Sequence, residues 1–119
     1  MSKIYNKALV LGGSKGLGKS IATELKKSCK IVNAFSSKDI DTSYIDSVNN
    51  FLKRYKKTDI LVLNSGGPQP ISFENLDEEL WYKYFNQLFL GFCLILKKIQ
   101  INNNGYIFFI SSSVTKEPN

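Results

Sequence analysis

The chain has 119 residues, the length of one domain, with 43% hydrophobic, 13% aromatic and 22% charged residues and a net charge of +6. It contains no histidine, which excludes Ser-His-Asp triads, histidine acid–base chemistry and most zinc sites. Its lysines and arginines are scattered, mostly at helix ends where cations suit the helix dipole, and no aromatic-rich basic stripe points to nucleic acid.

Lys7 to Leu11 (KALVL) reads as a first buried strand ended by glycines. Lys19 to Lys27 reads as a helix, with Ile21, Ala22 and Leu25 on one face. Lys30 to Phe35 is a second strand, and Lys38 to Asp41 a short third one. Ser43 is placed to cap a helix, with Asp46 as a partial capping-box partner; that helix carries Ile45, Val48, Leu52 and Tyr55 at helical spacing. Asp59 to Leu63 (DILVL) is apolar after its first residue, as a central parallel strand should be.

A long helix comes next, capped by Asn75 with Glu78 as its partner, and running to about Lys98. Its second half, Leu88 to Leu96, is apolar all round, so it is buried on more than one side, yet too short to cross a bilayer. Asn102 to Gly105 reads as a turn and Tyr106 to Ile110 as a fifth strand. Alternating strands and helices predict an α/β fold: a Rossmann-type doubly wound parallel sheet, five strands in the order 3-2-1-4-5, with about three helices, in one domain over residues 1–119. Cys29 and Cys93 have no metal-ligand spacing and read as buried free thiols. A cytoplasmic location is expected.

The chemistry gathers in Val10 to Ser20, "VLGGSKGLGKS", between the first strand and the first helix. Glycines let backbone approach a phosphate, and the helix N-terminus supplies N–H donors. Gly13-x-x-x-x-Gly18-Lys19-Ser20 matches a P-loop, while Gly12-x-x-x-Gly16-x-Gly18 matches a dinucleotide loop. A P-loop NTPase needs a strand ending in Asp for magnesium. The buried strands here end at Phe35-Ser36, Asn64-Ser65 and Ile110-Ser111, so the dinucleotide reading leads and the P-loop stays as the alternative.

In order along the whole chain, these pieces resemble the short-chain dehydrogenase/reductase family. Gly12, Ser14, Lys15, Gly16, Leu17 and Gly18 stand in the phosphate loop, and Asp41 at the acid that binds the adenine amino group. Ser36 and Ser37 end the second strand beside the ribose, and Asn64, Ser65 and Gly66 form the wall of the adenosine ribose. Trp81 matches the tryptophan of the following helix, and Ser112 aligns with the catalytic serine. "NSGGPQP" (Asn64 to Pro70) and "SVTKEP" (Ser113 to Pro118) are similar to a 3-oxoacyl-carrier-protein reductase-like branch that departs from the usual catalytic set. The resemblance implies hydride transfer between a nicotinamide cofactor and a small carbonyl or acyl substrate, and a homo-oligomer formed through the Trp81–Lys98 helix. No acid ends the second strand, and Lys15 and Lys38 are cations suited to a 2′-phosphate, so NADP(H) is favoured over NAD(H).

The family's tyrosine and the lysine four residues on are not found. Four residues after the six tyrosines stand Leu9, Val48, Asp59, Asn86, Leu88 and Ile110. The family's helix asparagine falls on Leu88, and Asn86, two positions away, points elsewhere round the helix. The 119 residues are therefore expected to be the amino-terminal part of a reductase, truncated before its carboxyl-terminal half and inactive alone. The alternatives are a module that holds a dinucleotide without turning it over, or a remnant.

Overall fold

The computed structural model describes residues 3–64, 74 and 77–110. Its elements are β1 (Tyr5–Leu11), α1 (Gly16–Leu25), β2 (Cys29–Phe35), α2 (Ile45–Arg54), β3 (Lys57–Leu63), α3 (Glu78–Phe85), a π-helical turn (Asn86–Leu90), α4 (Gly91–Lys98) and β4 (Gln100–Phe109).

Residues along each strand alternate between two apolar layers, which is why helices settle on both sides. On one face of the sheet Leu9, Leu11, Leu61 and Leu63 pack against Val48, Phe51 and Leu52 of α2 and Phe92 and Ile95 of α4. On the other face Ala8, Val10, Ile60 and Val62 meet Ala22 of α1. All pairings are parallel, in the order β2-β1-β3-β4, with Tyr5 opposite Cys29, Leu11 opposite Phe35, and Val10 opposite Val62. The sheet is doubly wound, as expected.

The described residues form four strands rather than five. Lys38 to Asp41 is a turn, because its polar groups are used locally. The Asp39 carboxylate accepts from the Ser36 N–H at 2.8 Å, and the N–H groups of Asp39 and Ile40 donate to the Ser36 carbonyl at 3.0 and 3.2 Å. The Lys38 N–H donates to Ser36 Oγ at 3.1 Å and the Asp41 N–H to Ser47 Oγ at 2.9 Å, so the four N–H groups of this stretch are all used locally. The expected order 3-2-1-4-5 thus loses its outermost member and is otherwise preserved.

Three further expectations are corrected. Ser43 does not cap α2: its hydroxyl donates to the Asp41 carboxylate, and Tyr44 stands at the cap position with no side-chain bond. Asp77 caps α3, accepting from the Leu80 N–H at 2.8 Å, whereas Asn75 lies outside the described residues. Asn102 to Gly105 is no free turn but part of β4. From Thr58 to Ile60 the paired residue on β4 advances from Ile101 to Tyr106, a large bulge with Asn104 at φ +67°.

Cys29 is buried, and burial pushes its thiol up, keeping it protonated. Cys93 is only partly buried. Among the described residues, no helix is long and apolar enough to cross a membrane.

Candidate functional site

The carboxyl ends of β1, β2 and β3 meet where an open α/β sheet places its ligand. Leu11 hands the chain to Gly12, whose φ of +65° reverses it. A side chain there would be strained by φ and would also strike Asn64, since a Cβ would lie 2.4 Å from the Asn64 carbonyl oxygen. The Gly13 N–H donates to the Phe35 carbonyl at 3.0 Å, fastening the loop to the end of β2.

α1 begins at Gly16, earlier than the expected Lys19, so its first-turn N–H groups face the loop. Gly16 has φ +62°, and a Cβ built on it meets nothing within 4 Å. The space over this glycine is open, as a cradle for a phosphate requires. Gly18 does the opposite job. Its absent Cβ would sit 1.9 Å from the Gly12 carbonyl oxygen and 2.9 Å from Asn64 Nδ2, so the bare glycine lets the helix close onto the strand end. Asn64 Nδ2 donates to the Gly12 carbonyl at 3.3 Å and ties β3 to the same loop.

Beside the loop lies a recess of about 70 Å³ lined by Gly12, Ser36, Ser37, Asp41 and Asn64, together with Thr42 and Gln87. Five of the residues singled out in the sequence, from four separate segments, are thereby brought together. Ser14, Lys15 and Leu17 are exposed on the loop above and do not line the recess. Lys15 is the N-cap residue of α1, in extended conformation and without a side-chain cap bond. Ser65, Gly66 and Ser112 lie outside the described residues, as do the rest of NSGGPQP after Asn64 and the SVTKEP stretch.

Sequence reasoning does not single out Thr42 and Gln87. The Thr42 hydroxyl donates to the Gln87 carbonyl at 2.9 Å, joining the loop before α2 to the π turn. A π turn adds a residue to the helical turn and re-aims the side chains beyond it. The sequence carries no local signature for it. Asn86, at the start of that turn, donates through Nδ2 to the Ser43 carbonyl at 3.4 Å.

No family model and no curated protein sequence matches the chain. Solved structures do match. A small-chain dehydrogenase superposes with a TM-score of 0.77 at 23% identity, over 95% of this chain and 63% of its own. The chain has the fold of the short-chain dehydrogenases. A small-chain dehydrogenase in complex with NADPH gives a TM-score of 0.72 at 23% identity, over 88% of this chain and 50% of that one. YwfH, an NADPH-dependent reductase involved in bacilysin biosynthesis, gives 0.71 at 21%, over 98% and 61%. The chain thus spans between 50% and 63% of the length of these three structures.

The short-chain dehydrogenase fold leaves the P-loop alternative without support. Lys19 and Ser20 sit inside α1, where the Ser20 hydroxyl donates to the Gly16 carbonyl at 3.4 Å. In a P-loop that hydroxyl would hold magnesium. The strand paired with β1 on that side, β3, ends at Leu63 and is followed by Asn64, not by an acid.

Proposed function

We propose that the chain is the nucleotide-binding part of an oxidoreductase that moves hydride between NADP(H) and a carbonyl, alcohol or acyl substrate. The observation that carries this reading is the meeting of Gly12, Ser36, Ser37, Asp41 and Asn64 around one recess, beside a glycine left open at the start of α1. Bound there, the cofactor would supply or accept the hydride. The loop from Gly12 to Gly18 and the first turn of α1 would hold its pyrophosphate. Asp41 would accept from the adenine amino group, and Ser36, Ser37 and Asn64 would border the ribose.

The preference for NADP(H) follows from charge. The acid nearest the end of β2, Asp39, has its carboxylate turned onto the Ser36 N–H and hydroxyl, so it is engaged away from ribose hydroxyls. Lys15 and Lys38 are exposed cations near the recess in the chain: Lys15 at the N-cap of α1, and Lys38 with its N–H donating to Ser36 Oγ at 3.1 Å. A 2′-phosphate suits them.

Ser112 would hold the substrate oxygen as charge develops on it. The tyrosine and lysine that would move the proton are not among these 119 residues, so the chain alone binds and does not turn over. A non-catalytic dinucleotide-holding module is the second reading. Leu88 favours it, standing where the resemblance expects an asparagine, while Asn86 is spent on the Ser43 carbonyl. The Trp81–Lys98 helix, with Trp81, Tyr82, Phe85, Leu88 and Phe89 all more than two-fifths exposed, would join two copies in a cytoplasmic homo-oligomer.

Calorimetric titration tests the cofactor reading. NADPH is expected to bind more tightly than NADH, and magnesium-ATP not at all. Tight magnesium-ATP binding with indifference to NADPH would overturn it. Turnover of a ketone panel by these 119 residues would remove the claim of chemical incompleteness. Sedimentation and binding of a hydrophobic dye test the exposed helix: a stable monomer that leaves the dye dark ends the homo-oligomer proposal.

A further inference from the structure

We propose that the outer face of α2 binds the phosphate backbone of a nucleic acid, without reading its sequence. The cations involved are far apart in the chain and are gathered only by the fold. Two open hollows flank α2 and share Asn50 and Lys53 as the ridge between them. The hollow on the β2 side measures about 670 Å³ and carries Lys38, Lys53 and Arg54. The hollow on the α4 side measures about 700 Å³ and carries Lys53, Lys56 and Lys98. The meeting of Lys56 with Lys98 is fixed by the backbone, since the Gln100 N–H donates to the Lys56 carbonyl at 2.8 Å.

These charges are not neutralised from within. Among the described residues the one ion pair is Lys27 with Glu24, at 3.2 Å, away from this face. The two acids of the hollows are Asp39, held by Ser36, and Asp46 in the first turn of α2. The cationic end of the groove is therefore the carboxyl end of α2. A helix dipole accounts for Lys53 and Arg54 in the last turn of α2, and for Lys97 and Lys98 in the last turn of α4. It does not account for Lys56, which comes after α2 and lines the same hollow as Lys98.

The polar composition selects the partner. Outward residues of α2 include Asp46, Asn50, Lys53 and Arg54, while Val48, Phe51 and Leu52 are buried in the core. A protein partner would need an apolar or aromatic anchor at the centre of its contact. An anionic membrane would need apolar side chains beside the cations to enter the acyl boundary. The apolar residues lining the hollows are Phe35, Phe51 and Leu52, buried in the core, and Tyr55, partly buried against Phe35 and Phe51, so none stands out as an exposed anchor. Lysine, arginine and asparagine side chains around an open groove are the groups that hold phosphates along a nucleic-acid backbone.

The test is fluorescence anisotropy with a labelled duplex of about 20 bp, over a range of salt concentrations. With four to five phosphates neutralised, log K is expected to fall against log salt with a slope of about −4. The triple variant Lys53→Gln/Arg54→Gln/Lys98→Gln is expected to weaken binding at least tenfold and to make the slope shallower by roughly three. The exposed pair Lys30→Gln/Lys83→Gln, away from the groove, is the charge control and is expected to change neither as much. Unaltered thermal melts show that the variants fold. Absence of binding at low salt, equal loss in the control, displacement by poly-glutamate at matched charge, or stronger binding to phosphatidylserine vesicles would each overturn the proposal.

Discussion

The two ends of the same sheet are built from similar residue types and do opposite things. At the amino end Asp59 is buried and its carboxylate is filled. One oxygen accepts from the N–H groups of Asn6 at 2.6 Å and Lys7 at 3.1 Å, and the other from Asn102 Nδ2 at 2.7 Å. Thr58 adds a bond from its hydroxyl to the Lys7 carbonyl at 3.0 Å. β1, β3 and the bulge of β4 are thereby pinned together. At the carboxyl end the side chains of Ser36, Asp41, Thr42 and Asn64 are bonded too, but to near neighbours around a recess, and glycine removes the side chains that would fill it. Polar groups bonded across strands rigidify a fold, whereas polar groups that border a recess on a rigid frame can also meet a ligand.

The comparison is broken most severely at Gly18. Alanine there puts a methyl 1.9 Å from the Gly12 carbonyl oxygen, so the loop or the helix must shift. Gly18→Ala is expected to weaken NADPH binding at least a hundredfold and to destabilise the fold by roughly 2–3 kcal/mol. Gly16→Ala, into open space but at positive φ, is expected to cost only about 1–2 kcal/mol of backbone strain. If the two variants titrate alike, close packing at Gly18 is not what shapes the loop.

The other end is tested by Asp59→Ala. Three donors lose their acceptor, and about 2 kcal/mol of stability is expected to go with them, read as a lower urea midpoint. NADPH affinity of the folded protein should be unchanged. A parallel loss of affinity would show that the two ends are coupled.

The same carboxylate gives the fold an acid limit. The Asn102 amide lowers the Asp59 pKa most, the N–H groups of Asn6 and Lys7 lower it further, and burial opposes them. A carboxyl held below its unfolded value, about 3.9, stabilises the fold above that value and ceases to do so as pH falls through the folded one. Urea midpoints are therefore expected to hold down to about pH 4 and then drop, with a shallower drop in Asp59→Asn. An identical acid limb in that variant would assign the effect to other carboxylates.

Much of this contrast is legible in the sequence, for reasons that are local. The spacing of Gly12, Gly16 and Gly18 after an apolar strand announces a loop at a helix start. DILVL announces a central strand by the unbroken apolarity of Ile60 to Leu63. Lys38 to Asp41 misleads because its composition suits an extended strand, while Asp39 and Ser36 close a turn through bonds that no periodicity reports. The bulge in β4 reads as a free turn because asparagines and glycine favour turns everywhere. Only the partner strand shows that they sit within a ladder. Gln87 reaches the recess by way of a π turn, a change of helical pitch with no residue signature.

The smallest expected effect concerns Lys15, and it decides which phosphate the site serves. The side chain is exposed at the N-cap position of α1 and has no capping bond. An exposed cation is screened by water, so its removal is worth about 1 kcal/mol or less. Lys15→Ala should accordingly weaken NADPH roughly three- to fivefold, within that 1 kcal/mol, and leave NADH where it was, because only NADPH carries the 2′-phosphate. Lys38→Ala should add a similar step if its side chain reaches from the end of β2, where its N–H is bonded to Ser36 Oγ at 3.1 Å, to the 2′-phosphate. Equal weakening of both cofactors would place Lys15 over the pyrophosphate that they share. The preference for NADP(H) would then rest on Lys38 and on the absence of a free carboxylate at the end of β2.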